Sequence, residues 1–277
     1  MKKTLLIIAA ILVVLGLLVT AAALFATDFT FDFFQTETIE RTIELTEDFQ
    51  NIAIYVDTSD VHFLPALDGK GRIYLTETEN LLHDVSVVND TLTVRTVDAR
   101  RWYEQPFSFG TMSVEIYLPQ SRYVNFLCET DTGDLHMPGA FLFSIADIET
   151  DTGDVDWQAD LSGRLSVSTD TGDTLLLGLS AGSLELDSDT GDMQIVNTAV
   201  FKEIKIESDT GDVTFDKADA ESLYVETDTG DVTGTLMTEK LFRAESDTGR
   251  VEVPWDTRGG DCIVLTDTGD IKLSIAQ

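Results

Sequence analysis

The feature that most constrains this chain is a tripeptide that recurs at a nearly constant interval. Asp-Thr-Gly occurs eight times, and each copy starts 19 or 20 residues after the one before it. A unit this short cannot bury an apolar face by itself, so the units must stack on one another. The copies begin at Asp131, Asp151, Asp170, Asp189, Asp209, Asp228, Asp247 and Asp267.

Apolar and polar residues alternate on both sides of each tripeptide. In the copy at Asp189, Leu184 and Leu186 precede the turn, and Met193 and Ile195 follow it. This period of two predicts strands with one buried face. We therefore predict an all-β chain that folds as a β-solenoid of about eight coils of 19–20 residues, with two strands per coil. At a strand spacing of ~4.8 Å, eight coils make a rod about 38 Å long.

The tripeptide itself is typical of a tight turn. Glycine at its third position supplies the positive φ that such a turn requires. The first aspartate can accept a hydrogen bond from the backbone two residues later, as in an Asx-turn. The sequence of the turn is thus explained without an appeal to function.

The residues before the repeats are rich in β-strand signals but less regular. Asn51 to Val61 predicts a strand, a degenerate repeat turn at Asp57 to Asp60, and a second strand. We expect residues 27–122 to cap the regular solenoid of residues 123–277, because an open coil exposes unpaired strand edges. No cap is visible after the last strand, before Gln277, so we expect a partner or a second copy at that end.

Residues 1–26 are predicted to be a short cytoplasmic tail and a transmembrane helix that precedes the β-region. Lys2 and Lys3 are followed by Leu5 to Ala26, an uncharged run whose helix would rise about 33 Å. The positive-inside rule keeps the N-terminus in the cytoplasm and places the rest of the chain outside the cell membrane. A cleaved signal peptide is the alternative, since Ala21 to Ala23 resemble a cleavage site, although its apolar region is usually only ~7–15 residues long.

Charge and cysteine content exclude several classes of protein. With 18 Lys and Arg against 50 Asp and Glu, the net charge is −32, which excludes binding of nucleic acid through a basic face. Two cysteines cannot form a disulfide framework. Cys128 lies in the first predicted coil and Cys262 in the eighth, about 34 Å apart at the strand spacing, so we predict two free, buried thiols.

Two motifs resemble catalytic sites, and neither has the required context. Asp-Thr-Gly occurs in aspartic proteases, which need two loops that converge in a cleft rather than a column of turns. The segment from Gly178 to Gly182 matches a nucleophile elbow, but the histidines all precede its serine. Those histidines, His62, His83 and His136, have no metal-ligand spacing and are expected to be partly exposed on strands. We predict no enzyme activity, no catalytic residue and no cofactor.

Carboxylates form two columns along the predicted stack. The second column lies three residues after the first and contains Asp134, Asp154, Asp173, Asp192, Asp212, Asp231, Arg250 and Asp270. Neighbouring carboxylates at this spacing repel each other by about 1 kcal/mol per pair in water. Either backbone N–H groups and solvent offset this repulsion, or Ca²⁺ does. A Ca²⁺ ladder would use Asp131, Asp134, Asp151, Asp154, Asp170, Asp173, Asp189, Asp192, Asp209, Asp212, Asp228, Asp231, Asp267 and Asp270.

The chain resembles a known family. The resemblance rests on the anchor, on the strand that ends in Tyr117-Leu118-Pro119, and on the repeated Thr/Ser-Asp-Thr-Gly-Asp-Val coils. These features, from about Asn51 to Ala276, are similar to the Toastrack or putative-adhesin family, which includes membrane-anchored LiaG-type proteins of bacterial envelope-stress operons. The first Asp is more uniform here than in that family, where Ser or Asn often replaces it. The family has no established catalytic residues, and the resemblance implies a cell-surface β-solenoid associated with membrane stress.

Three functional hypotheses follow from these observations. In the first, a non-enzymatic, single-pass protein contacts other integral membrane proteins of a stress-response system, since only about three of its own residues would be cytoplasmic. In the second, a Ca²⁺-bridged adhesin or scaffold binds cell-wall polymers. In the third, a polysaccharide-active enzyme would need a base near the second column, where Arg250 and Lys272 are the only basic residues.

Overall fold

The computed structural model describes residue 16 and residues 38–99, 112–255 and 258–276. Most of these residues belong to one large, mostly parallel β-sheet that curls around a single apolar core, as in a β-solenoid. The predicted transmembrane helix lies outside the described residues, apart from Gly16. No helix within the described ranges is long and apolar enough to cross a membrane.

The described residues form 27 strands. The first nine are β1 (Thr38–Glu44), β2 (Asn51–Val56), β3 (Ser59–Pro65), β4 (Arg72–Thr78), β5 (Leu81–Val88), β6 (Thr91–Asp98), β7 (Met112–Leu118), β8 (Asn125–Thr130) and β9 (Leu135–Met137). The next nine are β10 (Leu142–Phe143), β11 (Ile145–Thr152), β12 (Val155–Trp157), β13 (Asp160–Leu161), β14 (Arg164–Thr171), β15 (Thr174–Leu177), β16 (Ser180–Ala181), β17 (Ser183–Thr190) and β18 (Met193–Val196). The last nine are β19 (Ala199–Val200), β20 (Glu203–Thr210), β21 (Val213–Ala218), β22 (Ser222–Thr229), β23 (Val232–Leu236), β24 (Lys240–Thr248), β25 (Val251–Glu252), β26 (Gly260–Thr268) and β27 (Ile271–Ile275).

Each Asp-Thr-Gly turn joins two strands that pair in parallel with the equivalent strands of the neighbouring coils. The strands before the turns form one side of the solenoid, in the order β8, β11, β14, β17, β20, β22, β26 and β24. The strands after the turns form a second side in the matching order. Alternate residues are buried, for example Leu184 and Leu186 of β17, because their side chains point to the common core.

A third side of the solenoid differs from the prediction of two strands per coil. The connection between coils contains two-residue strands, and β10 pairs with β13 while β16 pairs with β19, both in parallel. Phe143, Leu161, Ala181 and Val200 of these strands are buried. The connection was predicted as a variable turn because a two-residue strand is too short to show a period. These coils therefore have three sides around the core.

The order of the last two coils also differs from the prediction. The eighth repeat does not follow the seventh: β26 lies between β22 and β24, and β27 lies between β23 and β25. The coil of the seventh repeat, β24 and β25, is thus the last in the stack. We call it the terminal coil. A repeat sequence specifies that coils stack, but coils this similar do not reveal which neighbours they take.

The two cysteines lie in the core, free and buried, as predicted. Burial raises the pKa of both thiols to about 12, which keeps them protonated. The inserted coil changes their separation, because Cys262 lies six strand steps from Cys128 rather than seven. Six steps correspond to about 29 Å at the usual strand spacing.

The other end of the stack is closed by antiparallel strands. β2 and β3 form a further parallel coil beside β8 and β9, with the degenerate turn at Asp57 to Asp60 between them. β6 and β7 stack on that coil in parallel. β4 and β5 then pair antiparallel with β7 and β6, and β1 pairs antiparallel with β4. We call the group β1, β4 and β5 the N-terminal cap.

Candidate functional site

The second column of aspartates forms a continuous ladder of hydrogen bonds. In each step the backbone N–H of one column member donates to Oδ1 of the aspartate in the preceding coil. The ladder starts at Asp60 in the degenerate turn and passes through all seven aspartates to the N–H of Arg250. The N–O distances are 2.7–3.2 Å. Backbone donors thus stabilise these carboxylates, which is one of the two explanations that the sequence offered.

Arg250 is the one basic residue in this column, and its position in the stack explains it. Its turn lies in the terminal coil, where no later coil needs a carboxylate acceptor. The guanidinium instead reaches back to Asp270, with 2.7 Å between Nη2 and Oδ2. This contact lowers the pKa of the Asp270 carboxyl. Arg250 therefore ends the ladder, and it is not positioned as the free base that an enzyme hypothesis would need.

The first column of aspartates is exposed along the whole stack. Within the described residues its carboxylates make no hydrogen bond, so the predicted Asx-turn bond is not formed. In the first of these turns the backbone N–H of Gly133 instead donates a hydrogen bond to Thr130 Oγ1, at 3.2 Å. Partial burial, together with the neighbouring carboxylates of Asp57 and Asp151, raises the pKa of Asp131. The first column is therefore a row of carboxylates open to solvent.

The glycines of the turns are required by the approach of neighbouring coils. A Cβ added at any of the eight positions would lie 1.9–2.3 Å from a backbone oxygen of the preceding coil. Only Gly172, Gly191 and Gly211 have a φ in the positive region. The prediction that positive φ selects glycine is thus wrong for the other five turns. There the stacking of one turn directly on the next excludes a side chain.

The predicted Ca²⁺ ladder would run along the two aspartate columns. Among the described residues, no group of three Asp, Glu, His or Cys side chains is arranged to hold a metal ion. One oxygen of each second-column aspartate already accepts an N–H, while the first-column carboxylates remain open. Binding of Ca²⁺ by the two columns stays a prediction.

A buried polar network in the N-terminal cap was missed by the sequence analysis. His83 Nε2 lies 2.9 Å from Ser59 Oγ, and His83 Nδ1 lies 3.2 Å from Glu77 Oε1. The guanidinium of Arg41 donates to both oxygens of Glu77 and to the carbonyl of His83. Burial lowers the pKa of His83, while the Glu77 carboxylate opposes that shift. His83 was predicted to be partly exposed, and this was wrong, because Ser59 replaces the glycine of a repeat turn and offers a hydroxyl to the cap.

This network resembles a Ser-His-acid triad, but it is sealed. Ser59, His83 and Glu77 are at most 2% exposed. A nucleophilic serine must meet its substrate, whereas these buried side chains hydrogen-bond to one another and to Arg41. The network joins the cap to the first coil of the stack.

The other two histidines lie on the outer face of the second side. His62 of β3 and His136 of β9 are register partners, with ring centroids 6.2 Å apart. His136 Nδ1 is 2.9 Å from Oδ2 of Asp156 in the next coil. Both are partly exposed strand residues, as predicted. The two rings are neighbours rather than scattered, because parallel pairing brings together positions far apart in sequence.

The nucleophile-elbow match has no catalytic environment. Ser180 lies in the two-residue strand β16 on the third side. Its hydroxyl and its backbone N–H both donate to Oδ1 of Asp160, at 2.8 and 2.7 Å. The Ser180 hydroxyl that a general base would have to activate is thus hydrogen-bonded to Asp160. No described histidine contacts Ser180.

At the terminal coil the core is open to solvent. β24 pairs with β26 on one side, and no described strand pairs with its other edge. Phe242, Ala244 and Val253 are only partly buried, and Trp255 is fully exposed. The neighbouring coil is sealed, since Cys262 and Val264 are 0% exposed.

A shallow groove of about 730 Å³ borders the terminal coil on the third side. It is lined in part by the exposed Phe201 and Met237 and by Lys240. The Lys240 ammonium is buried and bonded to Asp219 Oδ1 at 2.6 Å and to Thr238. The groove and the open edge of β24 both lie at this end of the stack.

Comparisons with known proteins give one family and several similar solved structures. The model of the Toastrack DUF4097 family matches residues 49–277. Among solved structures, a putative adhesin from Bacteroides fragilis NCTC 9343 is 18% identical, with a TM-score of 0.57 over 87% of this chain and 99% of that chain. A putative adhesin from Parabacteroides distasonis ATCC 8503 is 12% identical, with a TM-score of 0.44 over 87% of this chain and 98% of that chain. No curated protein sequence matches this chain.

These similarities differ in what they establish. At 18% identity the likeness to the Bacteroides protein shows a common fold and nothing of function. The family match spans the coil of β2 and β3 and every Asp-Thr-Gly turn, and the family is not a known enzyme family. Since that match covers most of its length, the chain belongs to the Toastrack DUF4097 family.

Proposed function

We propose that this chain is a non-enzymatic, single-pass protein of the bacterial cell envelope whose acidic solenoid acts outside the membrane as an interaction and sensing module. The observation that carries the proposal is the asymmetry of the stack, which is closed by the N-terminal cap and open at the terminal coil. An unpaired strand edge over an exposed core is a surface that favours contact with another chain.

The arrangement of the chain supports a terminal coil that is remote from the membrane anchor and accessible to a partner. β1 begins at Thr38 in the cap, soon after the apolar run from Leu5 to Ala26. With that run as the membrane anchor, the cap is the end of the stack tied to the membrane, and the terminal coil is the end remote from the anchor. About three residues would then remain in the cytoplasm, so a signal must pass through an integral membrane partner. We assign that partner to an envelope-stress system.

Crosslinking in intact cells tests this proposal. The full-length chain is crosslinked with and without an antibiotic that targets the cell wall, and the trapped proteins are identified. We expect specific integral membrane proteins whose yield changes with the antibiotic. A chain with Lys2 and Lys3 changed to Glu, which removes the orientation signal, serves as the control for topology. Recovery of no membrane protein under either condition contradicts the proposal.

A Ca²⁺-bridged adhesin or wall-binding scaffold is the alternative, and the open first-column carboxylates favour it. A ligand that binds only the folded state raises the melting temperature by mass action. This alternative therefore predicts that millimolar Ca²⁺ raises the melting temperature and that a chelator reverses the rise. It also predicts that the chelator releases crosslinked wall polymer. An unchanged melting temperature argues against it.

A further inference from the structure

We propose that the terminal coil binds the terminal coil of a second copy of this chain, through antiparallel pairing of the two β24 strands. The inference rests on the proposed function, in which the terminal coil is the contact surface, and it names the occupant of that surface. The two solenoids would meet end to end on a two-fold axis, with their N-terminal caps at opposite ends of the pair, so a pair anchored in one membrane would lie along its surface.

The first support is the free edge of β24. Along this side of the solenoid, every strand from β8 to β26 has a strand on each edge, whereas β24 has one neighbour among the described residues. In a parallel strand, successive backbone groups point alternately to the two neighbours. One set of N–H and C=O groups of Lys240–Thr248 therefore points away from the stack. A strand from another chain would pair with these groups.

The second support is the unfinished core above the same strand. Phe242 and Ala244 are partly exposed, while their register partners Cys262 and Val264 are buried. Val251 of β25 is 41% exposed, against 0% for its partner Ile271. A second terminal coil would cover this apolar end with an apolar end, and would remove both from water.

The third support is the charge of the terminal coil. The stretch 240–252 has three basic and three acidic residues, so it is formally neutral. The stretch 222–234 of the sixth repeat has no basic and three acidic residues, and 183–195 of the fourth has no basic and four acidic residues. Two ends of a chain with a net charge of −32 would normally repel each other. Because the terminal coil is formally neutral, two terminal coils repel each other less than two copies of either of those coils would.

The fourth support is the order of residues in β24, which complements itself. Arg243 and Glu245 flank Ala244, are exposed, and make no salt bridge within the described part of the chain. In an antiparallel pair centred on Ala244, Arg243 faces Glu245 of the second copy, and the contact occurs twice. Phe242 then faces Ser246 of the second copy on the core side. Opposite charges that face each other across two strands stabilise the pair, and a two-fold axis doubles the effect.

The same residues exclude neighbouring registers. Centring the pair on Ser246 would place Glu245 opposite Asp247 of the second copy, so like charges would meet twice. Centring it on Phe242 would leave Glu245 with no opposite charge and would place Leu241 opposite Arg243 of the second copy. Only the centre at Ala244 matches both charges of the exposed edge.

Cysteine crosslinking in the membrane tests the proposed pair. The full-length chain with Ala244→Cys is oxidised mildly in native membranes, and a disulfide-linked homodimer is the expected product, because residue 244 faces its own equivalent. Arg243→Cys is the matched control on the same strand, one residue away. Its two copies would lie two residues out of register, beyond the ~7 Å Cα limit for a disulfide. The native cysteines are buried with a raised pKa and give little background.

A charge exchange adds a second readout. In the Ala244→Cys chain, Arg243→Glu should lower the yield of the dimer about tenfold, because two attractive pairs become repulsive. Adding Glu245→Arg should restore it. Equal crosslinking at positions 243 and 244, or no rescue by the double exchange, overturns the proposal.

The outcomes separate this inference from the proposed function. If position 244 gives no homodimer while cell crosslinking recovers stress-dependent membrane proteins, the second copy is the wrong occupant and the proposed function stands. If neither experiment recovers a partner, both are wrong.

Discussion

At the scale of the residue, the turn shows how stacking replaces conformational preference. A glycine in an isolated turn is usually explained by its φ, yet five of the eight turn glycines lack a positive φ. What they share is a backbone oxygen of the preceding coil within 1.9–2.3 Å of the missing Cβ. The lack of space for a Cβ is caused by the neighbouring coil, so it cannot be inferred from the turn alone.

Two glycine substitutions separate these causes. Gly230→Ala adds a Cβ 1.9 Å from the carbonyl oxygen of Gly211 at a φ that alanine can adopt, whereas Gly178→Ala has open space but a φ of +68°. We expect the first to cost about 3 kcal/mol or more of unfolding free energy and the second about 1–2 kcal/mol. Denaturant unfolding of both variants measures the difference. A loss at Gly230 no larger than the loss at Gly178 would mean that close approach is not what excludes a side chain from the turn.

The two aspartate columns should respond differently to the same substitution. Asp173 accepts the N–H of Asp192, while the Asp170 carboxylate in the same turn accepts no hydrogen bond from the described residues. Asp173→Ala should cost about 1 kcal/mol, since the N–H loses its charged acceptor. Asp170→Ala should be neutral or slightly stabilising, because it removes a carboxylate from a repulsive row. Chemical denaturation at low salt gives both values, and a larger loss at Asp170 would contradict the ladder.

The buried network predicts a dependence of stability on pH. Since burial lowers the pKa of His83 below its ordinary 6.5, the folded protein binds this proton less readily than the unfolded chain. The stability that His83 contributes is therefore complete above pH 6.5 and is lost as the pH falls through the lowered value. His83→Gln should be less stable than the unchanged protein at pH 7.5, by about 1–3 kcal/mol.

That difference should shrink as the pH is lowered towards 5. Comparison of the two proteins at each pH is essential, because the raised pKa of Asp131 and of Asp187 stabilises the fold on acidification in both. Thermal unfolding across this range provides the measurement. A difference that stays constant with pH would show that His83 does not titrate with folding.

At the scale of the element, the sequence predicted the strands and the turn between them but not their order. The alternation of apolar and polar residues around each Asp-Thr-Gly predicted the two strands of every coil. The same pattern predicted the degenerate turn between β2 and β3. In the sequence, the only indication that the seventh repeat ends the stack was Arg250, which replaces an aspartate of the second column. Each aspartate of this column accepts an N–H from the next coil, so a residue without a carboxylate fits only in the coil that has no further neighbour.

Hydrogen exchange tests the insertion of the last coil. β26 is held between β22 and β24, whereas β24 lies at the edge of the stack although it comes earlier in the chain. Amides of Cys262 and Val264 should therefore exchange more slowly than those of Phe242 and Ala244. The reverse order of protection would mean that the coils stack in the order of the sequence.

At the scale of the whole molecule, what could not be predicted lies at the two ends of the stack. Eight similar repeats each specify the same kind of coil, so the middle of the solenoid could be predicted from the sequence. The ends depend on long-range contacts without a period. Ser59, His83 and Glu77 come from three separate strands, and β1, β4 and β5 reverse the strand direction to close the stack. The open edge of β24 appears only once the insertion is known.

If this molecule acts through its terminal coil, crosslinking from single positions on that coil should trap the partner. A photo-crosslinking amino acid replaces Arg243 in the terminal coil or, as the control, Tyr224 in β22, which shares the register partner Ile263 from the other side. The two full-length variants are irradiated in intact cells. We expect a protein adduct at position 243 and none at position 224. Equal yields at both positions, or an adduct only at position 224, would contradict it.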